Sequence, residues 1–285
     1  VVVAYNPDNR LYDMLSDCAQ NSSLVYLIDN SSYCPVNKNR IPEMVQYIKS
    51  ENNIGLGAGL NLGVRASIAN GADWILTLDQ DTLLEANFFH VAEKILKTLD
   101  PYKVGILASN YQVMKNGNLC HLYEKKGLQK AGFPMQSGSF YSSKVFEDCG
   151  LFSSNFFIDH IDHDFSFRVK RTGYSVLSHS DLRIIHSIGN FWSVAFFGRQ
   201  LGICSHEPSR MYYFFRNGIH LCKYYKICPA WFKKLYFRAF PKKIFDIFYE
   251  DKKILRAFYI IFGASSGLIT HFWDYKDIGK VEYLD

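Results

Sequence analysis

Four apolar runs near the start of the chain, Val1–Tyr5, Leu24–Ile28, Met44–Ile48 and Trp74–Leu78, each stop at a polar cluster. The first ends in Asn6-Pro7-Asp8 and the second in Asp29-Asn30-Ser31-Ser32. The third leads through Asn52-Asn53 into Gly55-Leu56-Gly57-Ala58-Gly59, and the fourth ends in Asp79-Gln80-Asp81. Elsewhere the apolar period changes. Leu11, Met14, Leu15 and Cys18 recur at helical spacing, and a second helix is expected from the glycine run through Ile68. Short strands alternating with helices build βαβ units and a mainly parallel sheet. In such a sheet ligands bind beyond the carboxyl ends of the strands. One edge is therefore expected to collect Tyr5, Asn6, Asp29, Asn30, Asn53, Gly55, Asp79, Gln80 and Asp81. Later in the chain, Val104–Ala108, Ser139–Ser142 and Leu182–Ile185 read as strands. Ser143–Cys149 and Asp162–Thr172 read as helices, the second closing at Gly173.

The sharpest chemical feature is Asp79-Gln80-Asp81. Carboxylates two residues apart at a strand end can point the same way, and held close they repel unless a cation intervenes. A hard divalent ion such as Mg²⁺ or Mn²⁺ takes oxygen ligands and completes its shell with phosphate and water. The bland alternative is a solvated turn. The glycine run imitates a dinucleotide fingerprint, but after Gly57 and Gly59 the third glycine arrives at Gly63, one residue late. That spacing argues against an NAD-dependent dehydrogenase.

The second feature is Phe157-Ile158-Asp159-His160-Ile161-Asp162-His163-Asp164-Phe165, where three Asp and two His precede or enter a helix. A helix N-terminus keeps a carboxylate ionised, and an ionised carboxylate in a closed site can act as a general base. Helix capping uses Asp at the same place. No spacing joins both His to a third ligand well enough for zinc. His186, at the end of an apolar strand, reads equally as a ligand or as a structural histidine.

Taken in order, these pieces resemble the inverting family-2 glycosyltransferases of GT-A fold, and among them bacterial rhamnosyltransferases of polysaccharide assembly. The resemblance rests on Val3–Pro7, Leu27–Ser32, Glu51–Gly63, Gly71–Trp74, Leu78–Thr82, Ser137-Gly138-Ser139 and Phe157–Asp162. Arg168 through Gly173-Tyr174, His186–Gly189 and Tyr212-Tyr213 through Arg216-Asn217 complete it. Gln80, between the two Asp, is what points to the rhamnosyl group. The resemblance implies that Asp29 and the Tyr5-Asn6 turn hold the pyrimidine and ribose, and that Asn53, Gly55, Asn61 and the glycine run lie against the nucleotide. It implies that Asp79 and Gln80 face the ribose or sugar, and that Asp81, with His186 and Asp79, binds Mg²⁺ or Mn²⁺. Asp162 matches the position of the base. Many relatives have Glu-Asp where this chain has Ile161-Asp162, which leaves Asp159 and Asp164 as rivals. Ser137, Gly138 and Ser139 are expected to line an acceptor pocket, with a tight strand turn as the alternative.

The implied reaction is a single inverting displacement of a nucleoside diphosphate by an acceptor hydroxyl, with dTDP-rhamnose as donor and a glycan or polyprenyl-linked acceptor. A UDP-hexose transferase of the same fold is the nearest alternative, ahead of a non-catalytic nucleotide-sugar-binding protein. The expected division is a catalytic domain over 1–205, with a donor half to 100 and an acceptor half from 101, and a helical extension over 206–285.

That extension carries much of the chain's aromatic content, which is 16% overall. Lys233, Lys234, Lys242 and Lys243 stand among Trp231, Phe232, Tyr236, Phe237, Phe240, Phe245 and Phe248. A peripheral contact with an anionic membrane suits this composition, as does a buried lid or a face between copies of the chain. The apolar stretch Ala257–Thr270 is shorter than the ~20 residues of a membrane span. The net charge of +5 is too mild for a nucleic-acid footprint. Seven scattered cysteines without a CxxC pair read as reduced thiols, and the expected location is cytoplasmic, on or near the inner face of the membrane.

Overall fold

The computed structural model describes residues 1–115, 118–121, 126–187, 190–224 and 230–269. In chain order the first part runs β1 (Val2–Ala4), α1 (Arg10–Asn21), β2 (Val25–Asp29), β3 (Val45–Lys49), α2 (Leu56–Ala69), β4 (Trp74–Asp79), β5 (Leu83–Leu84) and α3 (Phe88–Leu96). The middle comprises β6 (Val104–Lys115), β7 (Asn118–His121), β8 (Leu128–Lys130), β9 (Ser139–Ser142), α4 (Ser143–Cys149), α5 (Ile161–Arg171) and β10 (Ser175–Ser187). A hairpin of β11 (Asn190–Phe196) and β12 (Arg199–Ser205) follows, then α6 (Pro208–Tyr224), α7 (Ala230–Asp246) and α8 (Lys253–Ile269).

One sheet has the order β3-β2-β1-β4-β9-β6-β10-β5, with β7 added beside β6 and β8 beside β10. The strands β3, β2, β1 and β4 are parallel, as the alternating pattern requires. From β4 onward the sheet is mixed. β9 runs antiparallel to both β4 and β6, whereas β6 and β10 are parallel. No helix separates β2 from β3 among the described residues; a short 3-10 turn at Lys38–Arg40 stands there. Pro35 and Pro42 explain this, since proline removes a donor and clashes within a helix interior.

Helix α1 buries Leu11, Met14, Leu15 and Cys18 against β1, β2 and β4, the stripe its spacing predicted. Full burial of a side chain such as Leu15 or Leu27 contributes about 1.5–3 kcal/mol. Helix α2 lies close enough to β1 that a Cβ on Gly63 would sit 2.4 Å from a Val1 methyl. The late glycine thus serves helix-on-strand packing. A larger cluster joins Ile28, Leu60, Val64 and Ile106 to Tyr141, Phe146, Phe152 and Phe165, and extends without a break to Leu221 and Tyr236 of the last helices. The C-terminal helices therefore share the core of the α/β sheet.

Candidate active site

The carboxyl ends of β1, β2 and β4 meet at one edge. The Gln80 amide pairs with the backbone of Tyr5, accepting from its N–H at 2.6 Å and donating to its carbonyl at 3.2 Å. This ties the end of β4 to the end of β1. Asn6, at φ 48°, donates its N–H to the Ser31 hydroxyl, and its side-chain oxygen accepts from the N–H of Cys34 at 3.0 Å. Tyr5 stays exposed beside this turn.

Asp29 is fully buried at the end of β2. Its carboxylate has no exposed surface. It accepts from the N–H groups of Ser31 and Val36 and from the Tyr47 hydroxyl, at 2.9, 3.2 and 2.8 Å, and Lys49 stands 3.6 Å away. Burial alone raises its pKa, but these donors outweigh it and hold the carboxyl below its ordinary value. Asp29 shapes the loop after β2 from behind. Asn30 is likewise internal, donating to the Gly55 carbonyl at 3.0 Å and accepting from Ser50 at 2.8 Å. Asn61 makes a reciprocal pair with the backbone of Phe152, at 2.9 and 3.0 Å. Asn53 accepts the N–H of Gly55 and so forms the entry to α2.

Ser137, Gly138 and Ser139 are buried and form a tight turn. The Ser137 hydroxyl accepts the Asp79 N–H at 2.8 Å and shares a 2.7 Å hydrogen bond with Thr82. Gly138 takes φ 76° and donates to the Thr77 carbonyl, and Ser139 donates to the Met135 carbonyl. The Gln136 amide donates to the Asp79 carboxylate. This turn buttresses Asp79. Asp81 is half-buried, with Arg10 of α1 4.0 Å away.

Asp79 and Asp81 present hard oxygen donors. Among the described residues no group of three or more His, Cys, Asp or Glu side chains forms a cage. Two carboxylates leave most of the coordination to phosphate and water, as Mg²⁺ and Mn²⁺ bound with a nucleotide require, so the donor set fits such an ion. His186 lies in β10 opposite Val113, but its side chain falls outside the described residues.

The second half of the site is the loop entering α5. Phe157, Asp159 and His160 all take positive φ, at 60°, 64° and 64°. Such residues cost about 1–3 kcal/mol each and persist only when their surroundings over-determine them. Here the surroundings come from α6. The Asn217 amide points at the carbonyls of Phe156, Ile158 and Asp159, and Arg216 donates to the carbonyl of Asn155. The Phe157 ring stacks on Tyr213, and its carbonyl accepts the Leu56 N–H at 2.6 Å, joining the loop to the start of α2.

The three acidic candidates separate clearly. Asp164 is buried and paired with Arg168 at 2.7 Å. Asp159 is gripped by Arg210 of α6. Asp162, in the first turn of α5, keeps partial exposure, and its Oδ1 accepts from the N–H and Nδ1 of His163 at 2.8 and 2.9 Å. Burial works against its charge, yet His163 holds the Asp162 carboxyl below its ordinary value. In turn, Asp162 overcomes the effect of burial on His163 and raises that imidazole above its ordinary value.

Two side chains tie the halves together. The buried Tyr141 feels the charge of both Asp162 and Asp79, after the larger effect of burial. Burial opposes the charge on Arg210, but Asp159 and, more weakly, Asp79 raise its pKa. Gln136, Arg210 and Asn217 thus belong to the site, although no motif contains Gln136 or Arg210. Asn217 did fall within a matching segment, without a role attached.

Residues 1–158 match Glycosyl transferase family 2. Over 236 residues the chain is 28% identical to the dTDP-rhamnosyl transferase RfbF of Shigella flexneri, covering 78% of this chain and 79% of that protein. The fold is similar to that of S. aureus TarS. The 1–349 structure in complex with UDP-GlcNAc superposes with a TM-score of 0.52 at 11% identity, over 92% of this chain and 70% of that one. A second structure of TarS 1–349 gives 0.51 at 13% identity, over 65% of this chain and 59% of the other. The parallel half of the sheet, its polar edge and the family match over most of that region converge on one conclusion: the chain belongs to glycosyl transferase family 2 and is a glycosyltransferase.

Proposed function

We propose that the chain transfers rhamnose from dTDP-rhamnose, with inversion and with the aid of Mg²⁺ or Mn²⁺, to a glycan or lipid-linked acceptor in bacterial surface polysaccharide or lipopolysaccharide assembly. The observation that supports the chemistry is that β4 ends at Asp79, with Asp81 just beyond, at the same sheet edge as the Tyr5-Asn6 turn, to which Gln80 is hydrogen-bonded. The likeness to a dTDP-rhamnosyl transferase supports the choice of sugar.

The donor's nucleotide is assigned to the edge formed by Tyr5, Asn6, Asn53 and Gly55. Asp81 and Asp79 would hold the divalent ion, which offsets charge on the departing diphosphate. Asp162 acts as the base. It takes the proton of the acceptor hydroxyl, whose oxygen forms a bond to the anomeric carbon as the bond to phosphate breaks on the opposite face. The electron pair leaves with the nucleoside diphosphate. With a depressed pKa, Asp162 accepts the proton late, once bond formation has acidified the hydroxyl. Asp159 and Asp164, committed to arginines, hold the loop and the helix.

The test is release of nucleotide from dTDP-rhamnose, UDP-glucose and UDP-galactose, with and without Mg²⁺ or Mn²⁺, in the native chain and in Asp81→Ala. Metal-dependent turnover of dTDP-rhamnose that is lost in the variant is expected. Turnover of a UDP-hexose alone would shift the reading to that donor. Thermal protection by NAD and by no pyrimidine diphosphate would overturn it.

A further inference from the structure

The Lys-rich aromatic stretch of α7 turns partly inward. Tyr236 is buried and Phe240 packs edge-on against Phe215 at 4.4 Å. Among the described side chains the larger apolar exposure lies on α8. One stripe of that helix, Arg256, Ile260, Gly263 and Gly267, is buried. Gly263 and Gly267 let the helix approach the backbone of α6 closely, since added Cβ atoms would lie 2.4 Å from the Tyr212 carbonyl oxygen and 2.6 Å from that of Arg216. The opposite stripe is exposed and apolar. Ile254 is 89% exposed and Ile261 68%, with Phe258, Phe262, Leu268 and Ile269 on the same side. Beyond Arg256 the helix contains no charged residue. A row of this kind exceeds the scattered apolar exposure of an ordinary soluble surface.

Charge at the foot of this row, over residues 250–256, is net positive. Asp246 pairs with Lys242, and both Glu250 and Asp251 pair with the inward-turned Arg256. Lys252 and Lys253 are exposed at the end where α8 begins. The 17-residue helix is about 25 Å long, and no helix among the described residues is long and apolar enough to cross a membrane. A one-sided apolar helix with cationic residues at its foot suits the boundary between lipid headgroups and acyl chains. A second copy of the chain would oppose like charges, whereas anionic lipid neutralises them.

We propose that the outer face of α8, with Lys252 and Lys253, docks the protein flat on an anionic lipid surface. The proposal rests on the reading of a lipid-linked acceptor only for its purpose; the surface itself stands on the residues named. The experiment is co-sedimentation of the full chain with vesicles of phosphatidylglycerol and phosphatidylcholine, and with phosphatidylcholine alone. The native chain pellets with the anionic vesicles and not with the neutral ones. Ile254→Ser/Phe258→Ser/Ile261→Ser and, separately, Lys252→Glu/Lys253→Glu each lower the bound fraction by roughly tenfold. Nucleotide release from the soluble donor is unchanged in the lysine variant, which separates this proposal from the transferase reading. If the triple variant fails to fold, the surface lysine variant decides. Absence of binding to anionic vesicles, binding unaffected by the lysine variant, or a dimer in sedimentation velocity that the folded triple variant dissolves would each overturn the proposal.

Discussion

Arg210 reaches from α6 across 51 residues of chain and closes on both oxygens of Asp159, through Nε at 3.1 and 3.0 Å and through Nη2 at 2.7 Å. A forked, charge-assisted contact of this kind fixes geometry as well as charge. It holds a loop whose backbone is strained at three positions. Arg210→Ala is expected to lower kcat by about 10- to 100-fold. Arg210→Lys keeps the charge without the fork and falls between. In the double variant with Asp159→Asn, initial-rate kinetics should show a loss smaller than the sum of the single losses, because the two side chains act as one unit.

Asp162→Asn removes the assigned base without removing volume. Loss in kcat on the order of 10²–10⁴-fold is expected, with donor affinity by calorimetry unchanged. Asp164→Asn should do the reverse. It leaves the buried Arg168 without its carboxylate and costs about 3–5 kcal/mol of stability, read in a denaturant titration.

Gly55 has φ 85°, and a Cβ there would lie 2.9 Å from the Cα of Phe157. Gly55→Ala meets both penalties, so stability should fall by about 1–3 kcal/mol. The displaced contact also links the start of α2 to the strained loop. Donor turnover should therefore drop further than the change in melting temperature accounts for.

Burial and then the charge of His163 lower the pKa of His160 from 6.5 to about 4, while Asp159 and Asp162 work the other way. Between these values the unfolded chain binds a proton that the folded chain refuses, so stability falls as pH drops through the window. The contribution of His160 is about 2 kcal/mol smaller at pH 5 than at pH 7. His206, also lowered to about 4 chiefly by burial, adds in the same direction. The raised pKa of His163 acts oppositely, its gain becoming fully present only below its ordinary value of 6.5. Melting temperatures measured from pH 7 to 5 should fall, and His160→Phe should flatten that fall.

The parallel half of the fold was legible because its strands are short, apolar and punctuated. β2 and β3 lie within one residue of the runs marked by Leu24–Ile28 and Met44–Ile48, and α5 fills nearly the whole of Asp162–Thr172. The mixed half hid itself. β10 is 13 residues long, but Ser178, His179, Ser180 and Asp181 interrupt its apolar pattern at the register shift between His179 and Arg183, and only its later part read as a strand. The β11–β12 hairpin and α3 gave no signal that was recognised. In the site, the sequence located the acids but not their neighbours. Asp29, Asn30 and Asn61, expected at the nucleotide, and Asp164, a rival for the base, all make hydrogen bonds within the fold that spacing does not convey. Arg210 and Gln136 are joined to their acids across 51 and 57 residues, a distance at which spacing conveys nothing.

Asn217 belongs to α6, within the proposed extension over 206–285, yet its one amide faces the carbonyl groups of Phe156, Ile158 and Asp159 in the loop before α5. Parts that look exchangeable along the chain are therefore not exchangeable in space. A chimera spliced at residue 205 would inherit the donor edge but replace the clamp that sets its counterpart, whereas a splice beyond Tyr224 would carry both across together.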